Sequence, residues 1–178
     1  MPGKNPAEAV REYLAPLQQS MSCFGNAVLR SDGYDADVIH TATVQSPVVE
    51  LITKSHEILN LVFVQHFALE KRILIGWKVC TRSYYYAVED EAGKEILAFH
   101  WHPDANPENR ILYPHMHIGA GAGRFRSEIC EIHFPTPRIA FEEFGRMLIE
   151  DFGVDPERSD ALQVLNQNLE RFKTWKSW

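Results

Sequence analysis

Short turns between runs of branched and aromatic residues are the feature that most constrains the fold of this chain. Between about residues 24 and 134, runs such as EILNLVFVQHF and ILIGWKV are typical of strands. Turn signals recur between these runs, at SDGYD, EDEAGK, HPDANPEN and GAGAG. Such short connections favour antiparallel pairing, because a parallel crossover needs about a dozen residues or more. The centre of the chain is therefore predicted to be an antiparallel meander.

A helical pattern precedes this β region. Asn5 is the predicted N-cap, Pro6 occupies the first helical position, and Glu8 is placed to complete a capping box. Pro16 lies inside the helical pattern and is expected to kink or shorten the helix. The apolar residues that recur at helical spacing are Val10, Leu14, Leu17 and Met21.

Two further helices are predicted after the β region. The first is expected to be capped near Thr136 and Pro137, to stop at Gly153, and to carry Phe141, Phe144, Leu148 and Phe152. The second restarts at Asp155 and carries Leu162, Leu165, Leu169 and Phe172 on one stripe. We therefore expect a single α+β domain over residues 1–178, with a central antiparallel β-sheet, an N-terminal helix and two C-terminal helices packed on one face.

Composition excludes several classes of protein. Hydrophobic residues make up 45% and charged residues 24% of the 178 residues, as in a folded globular protein. The net charge of -6 means that nucleic-acid binding would need a local basic patch. The sequence shows neither a signal-peptide pattern nor an apolar run of membrane length, so we expect a cytoplasmic protein that does not bind a membrane. Cys23, Cys80 and Cys130 are widely spaced, which favours free thiols.

Two His-x-His pairs stand close together in ILAFHWHPDANPENRILYPHMHIG, as His100/His102 and His115/His117. Alternate side chains of a strand share a face, so each pair lies opposite the apolar residues of its own segment. A hairpin that places residue 102 opposite residue 111 puts all four histidines on one face of the sheet. A slip of one residue would move one pair to the other face.

Neighbouring segments supply further candidate residues. A preceding hairpin with its turn at residues 90–94 would place Tyr84 opposite His100 and Arg82 opposite His102. Downstream, SEICEIHF is predicted to be another strand, on which Glu131 and His133 share a face. Two cations that follow the glycine-rich GAGAG are candidate contacts for an anionic substrate, namely Arg124 and Arg126.

Two chemistries suit a face of this kind, and the sequence leaves both open. Neutral imidazoles are common ligands of a transition metal such as zinc, and the candidate ligands are His100, His102, His115, His117 and His133. Alternatively, two of the first four histidines could act as general base and general acid on a phosphodiester, with Arg82 and Tyr84 steadying the phosphate.

The central segments follow the order YYYAVED, an acidic turn, ILAFHWHP, a short loop, PHMHI and a closing helix. This order resembles that of the TumE-like toxins of prokaryotic toxin–antitoxin modules. The resemblance covers residues 84–118 and, more loosely, residues 137–152. It implies a small cytoplasmic toxin held by an antitoxin, with the histidines of HWH and PHMH as functional residues. Histidine-triad nucleotide hydrolases are excluded, because Gly119 stands where their third alternating histidine is needed.

These observations lead to three functional hypotheses. The first is a toxin-like phosphodiesterase acting on RNA, and the second is a metal-dependent hydrolase that uses the same histidines as ligands. The third is a non-enzymatic protein-binding or assembly subunit. The C-terminal RFKTWKSW favours this third hypothesis, because tryptophans such as Trp175 and Trp178 are common at protein interfaces.

Overall fold

The structure, a computed structural model, describes residues 2–46, 48–103, 111–123 and 127–175. Its helices are α1 (Pro6–Met21), α2 (Ser127–Cys130), α3 (Phe141–Glu150) and α4 (Ala161–Trp175). Its strands are β1 (Leu29–Ser31), β2 (His40–Val44), β3 (Val49–Ile52), β4 (Ile58–Arg72), β5 (Gly76–Asp90), β6 (Glu95–Trp101), β7 (His115–Ile118) and β8 (Phe134–Pro135).

Within the described residues, eight strands form one antiparallel sheet. Seven of them follow the order β1-β2-β4-β5-β6-β7-β8, and β3 pairs with β4 next to β2. The predicted α+β fold is confirmed, with a meander sheet, one N-terminal helix and two C-terminal helices; α2 is an additional helical turn. None of the helices in this part of the chain has both the length and the apolar character needed to cross a membrane.

The hydrophobic core lies between one face of the sheet and the helices. Phe141 of α3 packs edge-on against Phe63 of β4, with ring centroids 5.1 Å apart. Phe144, one helical turn later, contacts Tyr86 of β5 and Phe99 of β6 at 5.9 and 6.0 Å. Residues of α1 and α4 belong to the same buried cluster. The helices therefore cover one face of β4, β5 and β6.

The N-terminal helix begins where the sequence indicates but does not stop early. The Asn5 side chain accepts the backbone N–H of Glu8 at 2.8 Å, as an N-cap should, while the Glu8 side chain accepts the N–H of Lys4 at 2.7 Å. Pro16 lies inside α1, which continues to Met21, so of the two expected effects, a kink or a shortened helix, the shortening does not occur. The Pro16 carbonyl accepts the side-chain amide of Asn168 from α4 at 3.0 Å, which ties the two helices together.

The C-terminal helices differ from the prediction in their starts and in one buried position. The first of them, α3, begins after Ala140 rather than at Thr136 and Pro137, because Glu143 accepts the Ala140 N–H at 2.7 Å. In α4 the buried stripe is Ala161, Val164, Leu165, Asn168 and Leu169. Leu162 lies one residue off that stripe and is 38% exposed, so its assignment to the core was wrong. Trp175 is 40% exposed, and Trp178 lies outside the described residues.

Substitution of Phe141 by Ala should strongly destabilise the fold, because this ring is 1% exposed and packs against Phe24 and against Phe63 and Tyr86 of the sheet. We expect the free energy of unfolding to fall by about 3–5 kcal/mol, as for other buried phenylalanines. The matched substitution Leu162→Ala should cost less than about 0.5 kcal/mol, because that side chain is not in the core. Urea unfolding followed by circular dichroism measures both, and equal losses would contradict this description of the core.

Candidate functional site

The two His-x-His pairs lie on one face of the sheet, as predicted, although the register differs. His100 pairs directly with His115, and Ala98 pairs with His117. The sequence-based register placed residue 100 opposite residue 113 and was therefore wrong by two residues. An even shift leaves each side chain on the same face. Ring centroids confirm the convergence, at 4.3 Å for His100–His117, 5.3 Å for His100–His115 and 5.6 Å for His102–His115.

This face points away from the core helices. On β6 the residues next to His100 are Phe99, which packs on α3, and the buried Trp101. Strand alternation then directs His100 and His102 to the opposite side. His115 is 1% exposed, while His100, His102 and His117 are partly buried.

A fifth histidine reaches the site by a route that differs from the predicted one. The SEICEIHF segment begins as the short helix α2, and only Phe134 and Pro135 pair as a strand, so most of the predicted strand was wrong. His133 directly precedes that strand, and its ring lies 4.9 Å from His115 and 5.5 Å from His117. Glu131 is exposed outside this contact set. We name the five residues His100, His102, His115, His117 and His133 the histidine cluster.

Tyr85, and not Tyr84, is the tyrosine of this face. Near the turn, Glu89 pairs with Glu95 as the sequence-based register implies, but Val88 then pairs with Leu97, which leaves Ile96 as an extra residue. This bulge shifts the hairpin by one position, so that Tyr85 lies opposite His100. Tyr84 is buried on the helix side, where its hydroxyl accepts the backbone N–H of Ile139 at 3.3 Å.

Of the predicted arginines, the structure describes Arg82, which does not join the cluster. Between β4 and β5, His66 pairs with Ser83 and Phe67 pairs with Thr81, so that Arg82 is the extra residue of a second bulge. Its guanidinium binds Glu70 at 3.1 Å in the β4–β5 hairpin. Its assignment beside the histidines was therefore wrong. Arg124 and Arg126 lie outside the described residues.

Glu95 is a site residue that the sequence reasoning missed. Its carboxylate accepts the Nδ1–H of His117 at 2.9 Å and the hydroxyl of Tyr85, also at 2.9 Å. Glu95 is an odd-numbered residue in a strand whose histidines are even-numbered, so simple alternation assigns it to the other face. The bulge at Ile96 reverses that assignment, and no local sequence signal announces the bulge.

Two glycines of GAGAG hold the backbone of Glu95 in place. A Cβ atom at Gly119 would lie 2.1 Å from the Glu95 carbonyl oxygen, and one at Gly121 would lie 2.5 Å from the Lys94 oxygen. The Gly119 N–H also donates to the Ile96 carbonyl at 2.9 Å. These glycines are needed for close backbone approach beside the site, a role distinct from the anion contact that the sequence suggested.

Hydrogen bonds to the Nδ1 atoms define which ring nitrogens carry lone pairs. The Nδ1 of His115 lies 3.0 Å from the Tyr113 carbonyl, which can only accept, so this nitrogen carries the proton. The Nδ1 of His117 donates to Glu95 for the same reason. Both Nε2 atoms therefore present lone pairs, as in metal sites where a carbonyl or a carboxylate orients the ligating imidazole.

Burial keeps several of these imidazoles neutral. It lowers the pKa of His100 to about 3, with a further contribution from the neighbouring His117. Burial is also the main cause of the lowered pKa values of His102 and His115. For Glu95, burial alone would raise the pKa, but the hydrogen bonds from His117 and Tyr85 outweigh it and hold the carboxyl ionised.

The arrangement can accept a divalent metal ion. The ligand atoms of His100, His102 and His115 lie within 4.8 Å of one another, as do those of Glu95, His100 and His117. The His102 Nδ1 atom is buried and has no hydrogen-bond partner among the described residues. The Nε2 atoms of His100 and His117 are 2.7 Å apart. This is a hydrogen-bond distance, so the Nε2–H of His100 donates to the lone pair on the Nε2 of His117.

Other histidines of the chain have ordinary structural partners. The buried ring of His40 contacts the Asp32 carboxylate at 3.1 Å and the Asp35 carbonyl at 2.9 Å, so both nitrogens are satisfied. His66 contacts the Ser83 hydroxyl at 2.8 Å. His40 and His66 therefore differ from the histidine cluster, because their ring nitrogens contact residues other than histidine.

Comparison with known proteins gives no assignment, because no protein-family profile, curated protein or solved structure matches this chain. The chemistry of the site is therefore inferred from its own residues.

Acid should destabilise the metal-free protein through His100. Its pKa is about 3 in the folded state, against about 6.5 for an ordinary histidine. Between these values the unfolded chain binds a proton that the folded chain does not. The free energy of unfolding should therefore fall by up to about 1.4 kcal/mol per pH unit as the pH falls below about 6.5. Above about pH 6.5 His100 should make no contribution to the pH dependence.

Urea unfolding at stepped pH measures this slope, and His100→Gln should flatten it. Nitrogen NMR of the ring gives an independent check, because His100 should remain neutral at about pH 5. Protonation of that ring at a higher pH would contradict the description of a desolvated imidazole.

Proposed function

We propose that this protein is a metal-dependent hydrolase whose metal ion is held by His100, His102 and His115. The observation that carries the proposal is the convergence of these three side chains on one sheet face, with ligand atoms within 4.8 Å of one another. Three histidines with one open position form the ligand set of many catalytic zinc sites. Glu95 and His117 lie directly beside this set.

Charge favours a metal over metal-free acid–base catalysis. A phosphodiesterase of the metal-free kind needs one imidazolium to protonate the leaving group. The lowered pKa values of His100, His102 and His115 make these rings poor proton donors at neutral pH. The same neutrality suits ligation, because only an unprotonated nitrogen can bind a metal.

Each residue of the site then has a separate role. A bound divalent metal would lower the pKa of a coordinated water and polarise the bond to be cleaved. The Nε2 of His117 can take up a proton, since its Nδ1–H is held by the Glu95 carboxylate. Tyr85 donates to the second oxygen of that carboxylate, and because burial and Glu95 itself raise its pKa, the hydroxyl remains a donor.

The substrate class that we propose is a phosphodiester, with RNA as the first one to test. The resemblance of residues 84–118 to TumE-like toxins supports this choice, since the histidines that it marks are those of the cluster. A toxin of this kind would act on an intracellular polymer and would be held inactive by a protein partner.

Metal content is the first measurement of this proposal. Protein purified without an affinity tag, then dialysed against zinc or manganese, should retain about one equivalent by elemental analysis, and His102→Ala should reduce this amount at least about tenfold. His56→Asn is the matched control, because His56 is exposed outside the cluster at φ 65°, a conformation that asparagine tolerates. Bound metal should be retained at about pH 6 and lost only at lower pH, because burial lowers the pKa values of His100, His102 and His115 below that of an ordinary histidine. Full metal retention by His102→Ala would remove the ligand assignment.

Glu95→Gln tests the orientation of His117 separately. The amide cannot supply the same anionic acceptor to His117, which in turn contacts the proposed ligand His100 at 2.7 Å. We therefore expect metal affinity to weaken by up to about 10- to 100-fold, the range found when an outer partner of a ligand is removed. Competition with a chromophoric chelator measures the affinity. Glu57→Gln, in a loop far from the cluster in sequence, is the control and should leave the affinity unchanged.

Hydrolysis itself is tested with a labelled single-stranded RNA and with bis(p-nitrophenyl) phosphate, using metal-free and metal-loaded protein. Cleavage should require the metal and fall at least about 100-fold in His115→Ala. Cleavage that persists without metal would instead favour the acid–base mechanism. A metal-loaded protein that cleaves neither substrate would contradict the phosphodiesterase assignment.

A further inference from the structure

The β4–β5 hairpin projects beyond the strands on either side of it. Pairing of β4 with β2 ends at Phe67, and pairing of β5 with β6 begins at Tyr84. Residues 68–81 therefore extend as a two-stranded ribbon, to which Gly3 is joined by backbone hydrogen bonds of 2.8 Å to Trp77 in both directions. We name residues 68–81 the ribbon.

The tip of the ribbon carries aliphatic side chains in full contact with solvent. Ile73 is 101% exposed and Leu74 is 95% exposed, while Ile75 is 44% exposed. Hairpin turns are usually formed by glycine, asparagine, aspartate or serine, which place no apolar surface in water. Three consecutive aliphatic residues at such a position indicate a contact surface.

A basic groove lies at the base of this tip. Its volume is about 810 Å³, and it extends from the ribbon to the side chains of Trp101 and Arg138. Glu70 is its single carboxylate among the described lining residues, and it is shared by Arg72 at 2.6 Å and Arg82 at 3.1 Å. The other cationic lining residues are Lys71, Lys78 and Arg138. In a chain of net charge -6, this groove is a local patch of positive charge.

Trp101, the aromatic residue that lines the groove, is already covered. The guanidinium of Arg138 lies 3.2 Å from the centre of the Trp101 ring, which is 7% exposed. The ammonium of Lys71 lies 5.9 Å from the Trp77 ring. Single-stranded nucleic acids bind by stacking bases on open aromatic faces, and the exposed surface here is aliphatic instead.

We propose that the ribbon and its groove dock an acidic, apolar segment of a partner protein. Carboxylates of the partner would meet the Arg72 and Arg82 guanidinium groups, and its apolar side chains would cover Ile73 and Leu74. The charged rim would speed association and make it sensitive to salt, while the tip would supply most of the affinity. This surface lies on the ribbon and is distinct from the histidine cluster.

Fluorescence anisotropy with three labelled probes tests the proposal on the full 178-residue chain. The probes are a peptide of alternating Glu and Ile, the same peptide with Gln for Glu, and a single-stranded RNA of similar length. We expect the acidic peptide to bind, the Gln peptide to bind at least about tenfold more weakly, and the RNA to compete poorly. Equal binding of the two peptides, or failure of both to bind, would overturn the proposal.

Two variants locate the binding surface. Ile73→Ser/Leu74→Ser and Arg72→Gln/Arg82→Gln should each weaken acidic-peptide binding at least about tenfold. Val38→Ser/Ile39→Ser is the matched control, because it removes another exposed aliphatic pair, 51% and 58% exposed, far from the ribbon in sequence. The ribbon variants should retain metal and His102→Ala should retain peptide binding, so that failure of one proposal is distinguishable from failure of the other.

Two alternative occupants give different results. If RNA is the occupant, the RNA probe binds tightly and the same two variants abolish that binding. If a second copy of the chain is the occupant, light scattering shows a dimer that the Ile73→Ser/Leu74→Ser variant converts to monomer. Either result would overturn the assignment to an acidic partner protein.

Discussion

The alternation of side chains along β6 is the constraint on which both the core and the site depend. Each step along a strand reverses the face, so one short segment can serve two environments at once. Phe99 faces α3 and Trp101 is buried, while His100, between them, faces the cluster. The helices cover the first face, and the pairing of β6 with β7 forms the second. A one-residue insertion or deletion in β6 would exchange its two faces, and would therefore disrupt both the core packing and the histidine cluster.

The prediction from sequence succeeded where the signal was local and repeated. The alternating patterns of residues 96–102 and 112–118 placed four histidines on one face even though the hairpin register was wrong by two, because parity survives an even shift. The short turns indicated an antiparallel sheet, and the apolar stripes indicated that helices cover it. These features depend on neighbours in sequence, which a single chain displays directly.

The sequence-based predictions were wrong where tertiary packing decides which face a side chain occupies or which secondary structure a segment adopts. Two bulges, at Ile96 and at Arg82, displaced Tyr84, Arg82 and Glu95 from their expected positions. A bulge adds a residue without leaving a composition signal, so alternation counted through it gives the wrong face. The segment before His133 alternates like a strand but begins as a helical turn. The reach of His133 to the cluster is then fixed by the pairing of β8 with β7.

The close packing of Gly119 and Gly121 against the Lys94–Glu95 backbone has an evolutionary consequence. Neither glycine carries a chemical group, yet any side chain at Gly119 would have to push the strand that supports the Glu95 carboxylate. Selection on the cluster therefore extends to positions that supply no side chain to it. In related lineages we expect the glycine spacing and the histidine pairs to be inherited or lost together. A side chain gained at position 119 or 121 would accompany loss of the Glu95–His117 contact.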